Sequence, residues 1–100
     1  MAETQLLWSD RALNDYENLV AYLWSEWGEQ ITLRVINELE ATITRIQHQP
    51  EHFPIVLKDK SIRRYVFSPQ TSIFFRINSD TIEIISLFDN RQNPNQLKNL

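Results

Sequence analysis

One hundred residues with 42% hydrophobic and 23% charged side chains describe a single small globular domain, 1–100, and not a disordered tail. A lone glycine excludes glycine-rich phosphate cradles, and the lack of cysteine excludes a disulfide scaffold, cysteine-based zinc sites and thiol catalysis. The net charge of −3 divides unevenly: residues 1–50 hold eight acids and three bases, residues 51–100 five acids and seven bases, so any anionic partner must meet the second half.

The N-terminal Met1-Ala2-Glu3-Thr4-Gln5 lacks the basic start and apolar stretch of a secretion signal, which predicts a cytoplasmic location. No apolar run approaches the ~20 residues of a membrane span. Gln5-Leu6-Leu7-Trp8 reads as a first strand, ended by Ser9-Asp10, either of which can cap a helix by accepting an orphan backbone N–H. Leu13, Tyr16, Val20, Leu23 and Trp27 then recur at spacings of 3 and 4, the signature of one helix face. Tyr22 and Trp24 fall off that stripe and are candidates for an exposed apolar patch facing a protein partner. Gly28 stands where the pattern ends and suits a left-handed position. Ile36, Leu39, Ile43 and Ile46 define a second helix, stopped by Pro50. So short a link predicts an antiparallel helical hairpin.

Residues 49–60 read as a loop pinned by Phe53-Pro54. The period then changes from 3.6 to 2. Strands are predicted over 62–67, 72–77 and 81–88, separated by Ser68-Pro69-Gln70 and by a three-residue loop, Asn78-Ser79-Asp80. The tail from Asp89 to Leu100 reads as irregular. The order strand, helix, helix, three-strand antiparallel meander predicts an α+β fold with the helical hairpin packed on one face of the sheet and the other face open.

Candidate chemistry is sparse. The serines lack the glycine neighbours of a nucleophile elbow. His48 and His52 are four apart, but Pro50 interrupts the helix that a metal pair would need. Asp15, Glu17, Glu38 and Glu40 read as a solvated helix surface. No metal site and no cofactor is expected. What remains is a basic cluster: Lys58, Lys60, Arg63 and Arg64 within seven residues, followed by Arg76 and Arg91. Alternation along a strand sends Arg63 and Arg64 to opposite faces. Guanidinium forks match phosphate or carboxylate geometry, so these side chains form either a positive concavity on the open face or a set of solubilising charges with an internal ion pair.

The ordered set Trp8-Ser9-Asp10-Arg11-Ala12, Glu26-Trp27-Gly28, Phe53-Pro54, Ile62-Arg63-Arg64-Tyr65-Val66, Phe74-Phe75-Arg76-Ile77, Asp80 to Ile85 and Phe88-Asp89-Asn90-Arg91-Gln92-Asn93-Pro94 resembles the RelE/ParE superfamily of toxins from bacterial type II toxin–antitoxin systems. The resemblance covers about residues 4–97 and implies a βααβββ fold, growth inhibition, a role of the plasmid-stabilisation kind, and a cognate antitoxin in a hetero-oligomer. RelE-like members cut messenger RNA on the ribosome, with basic side chains around the scissile phosphate and a Tyr or His after the last strand. ParE-like members bind and poison DNA gyrase. By position, the family's strand arginine falls on Arg63 with Arg64 beside it, its arginine past the last strand on Arg91, and RelE-like lysines on Lys58 and Lys60. The stretch from Asp89 to Leu100 holds neither Tyr nor His. The acid–base candidates left to a ribonuclease are Tyr65, His52 and Asp89. The resemblance therefore implies a ParE-like toxin contacting gyrase through Arg63, Arg64, Arg76 and Arg91. The alternatives are a ribosome-dependent ribonuclease using Lys58, Lys60, Arg63, Arg64 and Arg91, and an inactive antitoxin-binding relative.

Overall fold

In the computed structural model, which describes residues 4–100, strand β1 (Gln5–Trp8) leads into helix α1 (Asp10–His48). Ser9 is the N-cap. Its backbone is extended, and its Oγ accepts from the Ala12 N–H at 3.0 Å. Helical structure runs to His48 except at Gly28, where φ is 81° and ψ is −176°. A straight helix of 39 residues would be about 58 Å long, whereas the longest dimension of the molecule is 39 Å. The break at Gly28 thus divides α1 into two arms, 10–27 and 29–48, that fold back on each other as the sequence predicts. The positive φ matches expectation, but ψ is extended and not left-handed helical.

Four more strands follow: β2 (Ile55–Leu57), β3 (Ile62–Val66), β4 (Thr71–Asn78) and β5 (Thr81–Asp89). The sheet order is β1-β5-β4-β3-β2, with β1 parallel to β5 and every other pair antiparallel. β2 lies in the stretch read as a loop. It is three residues long, flanked by 3-10 turns at Pro50–His52 and Lys58–Lys60, and shifted in register against β3, too short and irregular for a period-2 signal. The β4–β5 loop is two residues, Ser79-Asp80, because Asn78 pairs with Thr81.

β4 is central and buried on both faces. Ile73 and Phe75 join Ile82, Ile84 and Leu87 of β5 and Ala12, Leu39, Ile43 and Ile46 of α1 in the main core. Each such Ile, Leu or Phe side chain contributes about 1.5–3 kcal/mol on burial. The opposite face is not open. Ile62, Phe74, Ile85 and Phe88 form a second cluster there, with Leu57, Leu97 and Leu100 packed against it. The tail read as irregular forms a 3-10 turn, Pro94–Asn99, capped by the Asn93 side chain. Its two leucines are what the polar composition of the tail concealed.

A bulge interrupts β5, where Phe74 pairs with Ser86 and Phe75 with Ile84, so that Ile85 has no partner. The first arm of α1 holds it. Ser9 Oγ donates to the Ile85 carbonyl at 2.8 Å, and Asp15 Oδ2 accepts from Ser86 Oγ at 2.8 Å and from the Leu87 N–H at 3.1 Å. Asp15, expected on the solvated surface, turns inward because the bulge presents it with two donors.

Candidate functional site

The six predicted cations do not share one site: Arg64, Arg76 and Lys60 lie on the second face of the sheet, and Arg63 and Arg91 lie elsewhere. Arg63 lies opposite Phe75 and so on the helix-bearing face, where its Nη1 donates to the Phe53 carbonyl at 2.7 Å and to the Glu51 carbonyl at 3.4 Å. Arg64 and Arg76 point to the second face. Arg64 lies over the Phe74 ring, 5.9 Å from its centroid. It donates through Nε to Ser72 Oγ at 2.9 Å and through Nη2 to Asn90 Oδ1 at 3.2 Å. Arg76 pairs with Glu83 at 2.8 Å, and its Nη1 donates to the Lys60 carbonyl at 3.4 Å. Its Nε is buried and has no hydrogen-bond partner. Lys60 Nζ reaches the Leu100 carbonyl at 2.6 Å. Lys58 is exposed in the turn after β2.

Arg91 stands apart. It binds Asp89 through Nε at 3.0 Å and Nη2 at 2.8 Å, and the Arg91 N–H also donates to that carboxylate. The bonds from Arg91 hold the Asp89 carboxyl below its ordinary range against the opposing effect of burial. In turn Asp89 raises the Arg91 guanidinium above its ordinary value. Four residues of β4 and two strand spacings put the backbones of Arg63 and Asp89 about 16 Å apart.

Arg91 and Asp89 rim a cleft of about 490 Å³ between the first arm of α1 and the end of the sheet, which Arg11, Asp15, Tyr22 and Glu38 also line. The acid–base candidates are dispersed too. Tyr65 packs edge-on against Phe53 at 5.0 Å, and its hydroxyl accepts from Arg45 Nη1 at 3.2 Å. His52 is exposed, and Asp89 is occupied by Arg91. Among the described residues no group of His, Cys, Asp and Glu is arranged to hold a metal ion.

The model of the ParE toxin of type II toxin-antitoxin systems, parDE, matches residues 6–94. The chain belongs to the ParE toxin family. Its fold is that of solved toxins of the wider RelE/ParE superfamily. A chain of the chromosomal ParDE toxin–antitoxin system from P. aeruginosa superimposes with a TM-score of 0.75 at 15% identity, covering 87% of this chain and 96% of the other. A YoeB/ParE toxin from Agrobacterium tumefaciens gives 0.60 at 15% identity, covering 86% and 98%. The E. coli DinJ-YafQ toxin–antitoxin complex gives 0.59 at 12% identity, covering 88% and 93%. Among curated proteins none has a significantly similar sequence. Among the described residues no helix is long and apolar enough to cross a membrane.

One surface of this ParE-family toxin was only half legible. Tyr22 and Trp24 are exposed, as the sequence reading expects, but so are Leu13 and Trp27, which the spacing assigns to the core. The core face of the first arm runs through Ala12, Tyr16, Leu19 and Leu23, so the spacing placed Tyr16 and Leu23 correctly. Leu13, Val20, Trp24 and Trp27 consequently form a second, solvent-facing stripe, with Trp24 55% and Trp27 62% exposed. Two interleaved stripes on one helix give overlapping periodicities, and spacing alone cannot say which is buried.

Proposed function

We propose that this chain inhibits growth by binding a macromolecular target, DNA gyrase, and that a cognate antitoxin neutralises it in the cytoplasm. Membership of the ParE family sets the class. The observation that supports binding over cleavage is the division of the guanidinia among separate places. Stabilising a pentacoordinate phosphate needs several donors within about 3 Å of one point. Here Arg63 serves one face, Arg64 and Arg76 the other, and Arg91 is committed to Asp89. The stretch beyond Asp89 supplies no Tyr or His to act as acid or to stack on a base. Distributed fork donors suit a protein target with acidic groups spread over a broad contact.

The antitoxin would lay an amphipathic segment along Leu13, Val20, Trp24 and Trp27, an apolar strip one helix wide. Similar chains described as ParDE and DinJ-YafQ toxin–antitoxin assemblies support such a partner. The test is induction of the chain in growing bacteria, with gyrase activity and transcript ends scored in the same culture. The expected result is lost supercoiling and trapped DNA breaks with intact transcripts. Codon-phased messenger cuts with gyrase unaffected would overturn the reading in favour of the ribonuclease built on Lys58, Lys60, Arg63, Arg64 and Arg91. Normal growth would leave only an antitoxin-binding relative.

A further inference from the structure

The five-stranded sheet has two edges, and the chain guards only one of them. At the β2 edge the strand is three residues long, Pro54 precedes it, Lys58 follows it and its register against β3 is shifted. Short length, proline, lysine and irregular pairing are ordinary defences of an exposed strand. The β1 edge has none of the last three. Gln5-Leu6-Leu7-Trp8 pairs with β5 without a shift and carries no charge and no proline.

The ladder fixes where the main-chain groups of β1 point. The Gln5 N–H donates to the Asp80 carbonyl at 3.1 Å, and the Ser9 N–H to the Ile84 carbonyl at 2.9 Å. Odd residues therefore face β5, and the N–H and C=O groups of Leu6 and Trp8 face outward. The carbonyl of Thr4, the next even residue, is taken by the Gln47 side chain. The free template thus runs from Leu6 to Trp8. Across the sheet, Leu6 and Trp8 pack on the main core, while Leu7 stands 54% exposed on the second face beside Glu83.

We infer that β1 is an interaction surface for a second copy of this chain, the two strands pairing antiparallel about a two-fold axis at Leu7 to make one continuous sheet. The free groups dictate the register. Leu6 of one copy meets Trp8 of the other, twice over, and each of these pairs exchanges two hydrogen bonds. Leu7 then lies opposite its own counterpart in the closely spaced, non-hydrogen-bonded position, with Cα atoms about 4.5 Å apart, and each exposed leucine covers the other. Charge does not oppose the contact. Glu83 is paired with Arg76, and its counterpart stands three strand spacings away, about 14 Å. The two copies of Asp10 fall at opposite ends of the paired segment. A foreign strand is a poorer occupant: β1 has no charge to select it, whereas the chain's own β1 brings a leucine to the centre in the register that the free groups set. Each copy contributes a strand of four residues, so the pair belongs to the weak class of protein contacts, populated at high micromolar concentration. It needs neither gyrase nor antitoxin, and its test contains neither.

The experiment sediments the full chain from about 10 μM to about 1 mM and follows amide exchange by NMR in the same samples. The sedimenting mass should rise toward that of two chains. The Leu6 and Trp8 amides, open to water in the single chain, should gain protection as concentration rises. Leu7→Lys changes an exposed side chain, so the fold should survive, and it sets two ammonium groups face to face; the pair should weaken by at least about ten-fold. Val56→Lys at the guarded edge and Trp24→Glu on the helices should leave the pair unchanged. A single chain at the highest concentration would overturn the inference. So would a dimer that survives Leu7→Lys, or one that Trp24→Glu dissolves, which would belong to the helical hairpin. So would protection of both amides by a neutral strand peptide, Thr-Val-Thr-Val-Thr, in a chain that never pairs with itself, which would give the edge to a foreign strand.

Discussion

Replacing Gly28 tests the break that creates the helical hairpin. At φ 81° and ψ −176° this residue occupies a region open in practice only to glycine. A Cβ added there would meet nothing within 4 Å, so contact and strain separate cleanly. Gly28→Ala should therefore cost the backbone term alone, about 1–3 kcal/mol. For a domain of this size that lowers the melting temperature by roughly 4–24 °C. The mirror image of the Gly28 conformation, φ −81° and ψ 176°, is ordinary extended backbone. A D-alanine placed at 28 by chemical ligation should fit without strain. It should stabilise by about 0.4–1 kcal/mol, because it restricts the unfolded chain. Urea denaturation of the three proteins decides the matter. If L-alanine matches glycine, or if both enantiomers destabilise equally, the hairpin does not depend on this dihedral and the account of the break is wrong.

Asp15→Ala should destabilise by about 1–3 kcal/mol in urea, because it strands the Ser86 hydroxyl and the Leu87 N–H; Asp15→Asn, which keeps an acceptor oxygen, should cost less. Trp24→Glu and Trp27→Glu should leave stability within about 0.5 kcal/mol of wild type. Each should weaken antitoxin binding by about 2–4 kcal/mol, roughly 30- to 1000-fold in Kd, measured by calorimetry alongside rescue of growth on co-expression. Asp89 is depressed by Arg91, so its contribution to stability is present above the ordinary aspartate range and fades as pH falls through the lowered value. Arg91→Ala should return the Asp89 carboxyl resonance toward an ordinary titration midpoint, with little change in stability at neutral pH, since the pair is exposed. Arg64→Met and Arg91→Met should reduce gyrase inhibition additively, as separate contacts do, whereas strong non-additivity would point to one concerted catalytic unit.

Strands β1, β3, β4 and β5 and both arms of α1 were legible because each carries its own signal. Period 3.6 gives way to period 2 at Ile62, Ser9 caps, Gly28 breaks and Pro50 stops. What stayed hidden depends on contacts distant in sequence. Asp15 is an ordinary exposed-looking helical acid until the β5 bulge, 71 residues away, hands it two donors. Leu97 and Leu100 are unremarkable in a polar tail until Phe74 and Phe88 line up beneath them. The basic residues were correctly counted, and alternation correctly separated Arg63 from Arg64. Arg63 and Arg91 stay outside the face shared by Lys60, Arg64 and Arg76: alternation turns Arg63 to the helices, and Arg91 follows its partner Asp89 to the cleft beside Tyr22.

The bulge links these observations. One extra residue at Ile85 reverses the facing of everything beyond it in β5 relative to regular pairing. It puts Leu87 into the main core beside the helices and turns Phe88 to the second cluster. It also carries Asp89, and with it Arg91, to the cleft beside Tyr22 rather than to the side of Arg64 and Arg76. Without the bulge, the pleat would return Asp89 to the second face and draw Arg91 toward the two strand arginines, closer to a converging phosphate site. Ser9 and Asp15 hold the bulge through the first turns of the same helix arm that bears the exposed tryptophans. The polar residues of that arm thus fix where Asp89 and Arg91 lie, while its outer face carries the exposed Trp24 and Trp27.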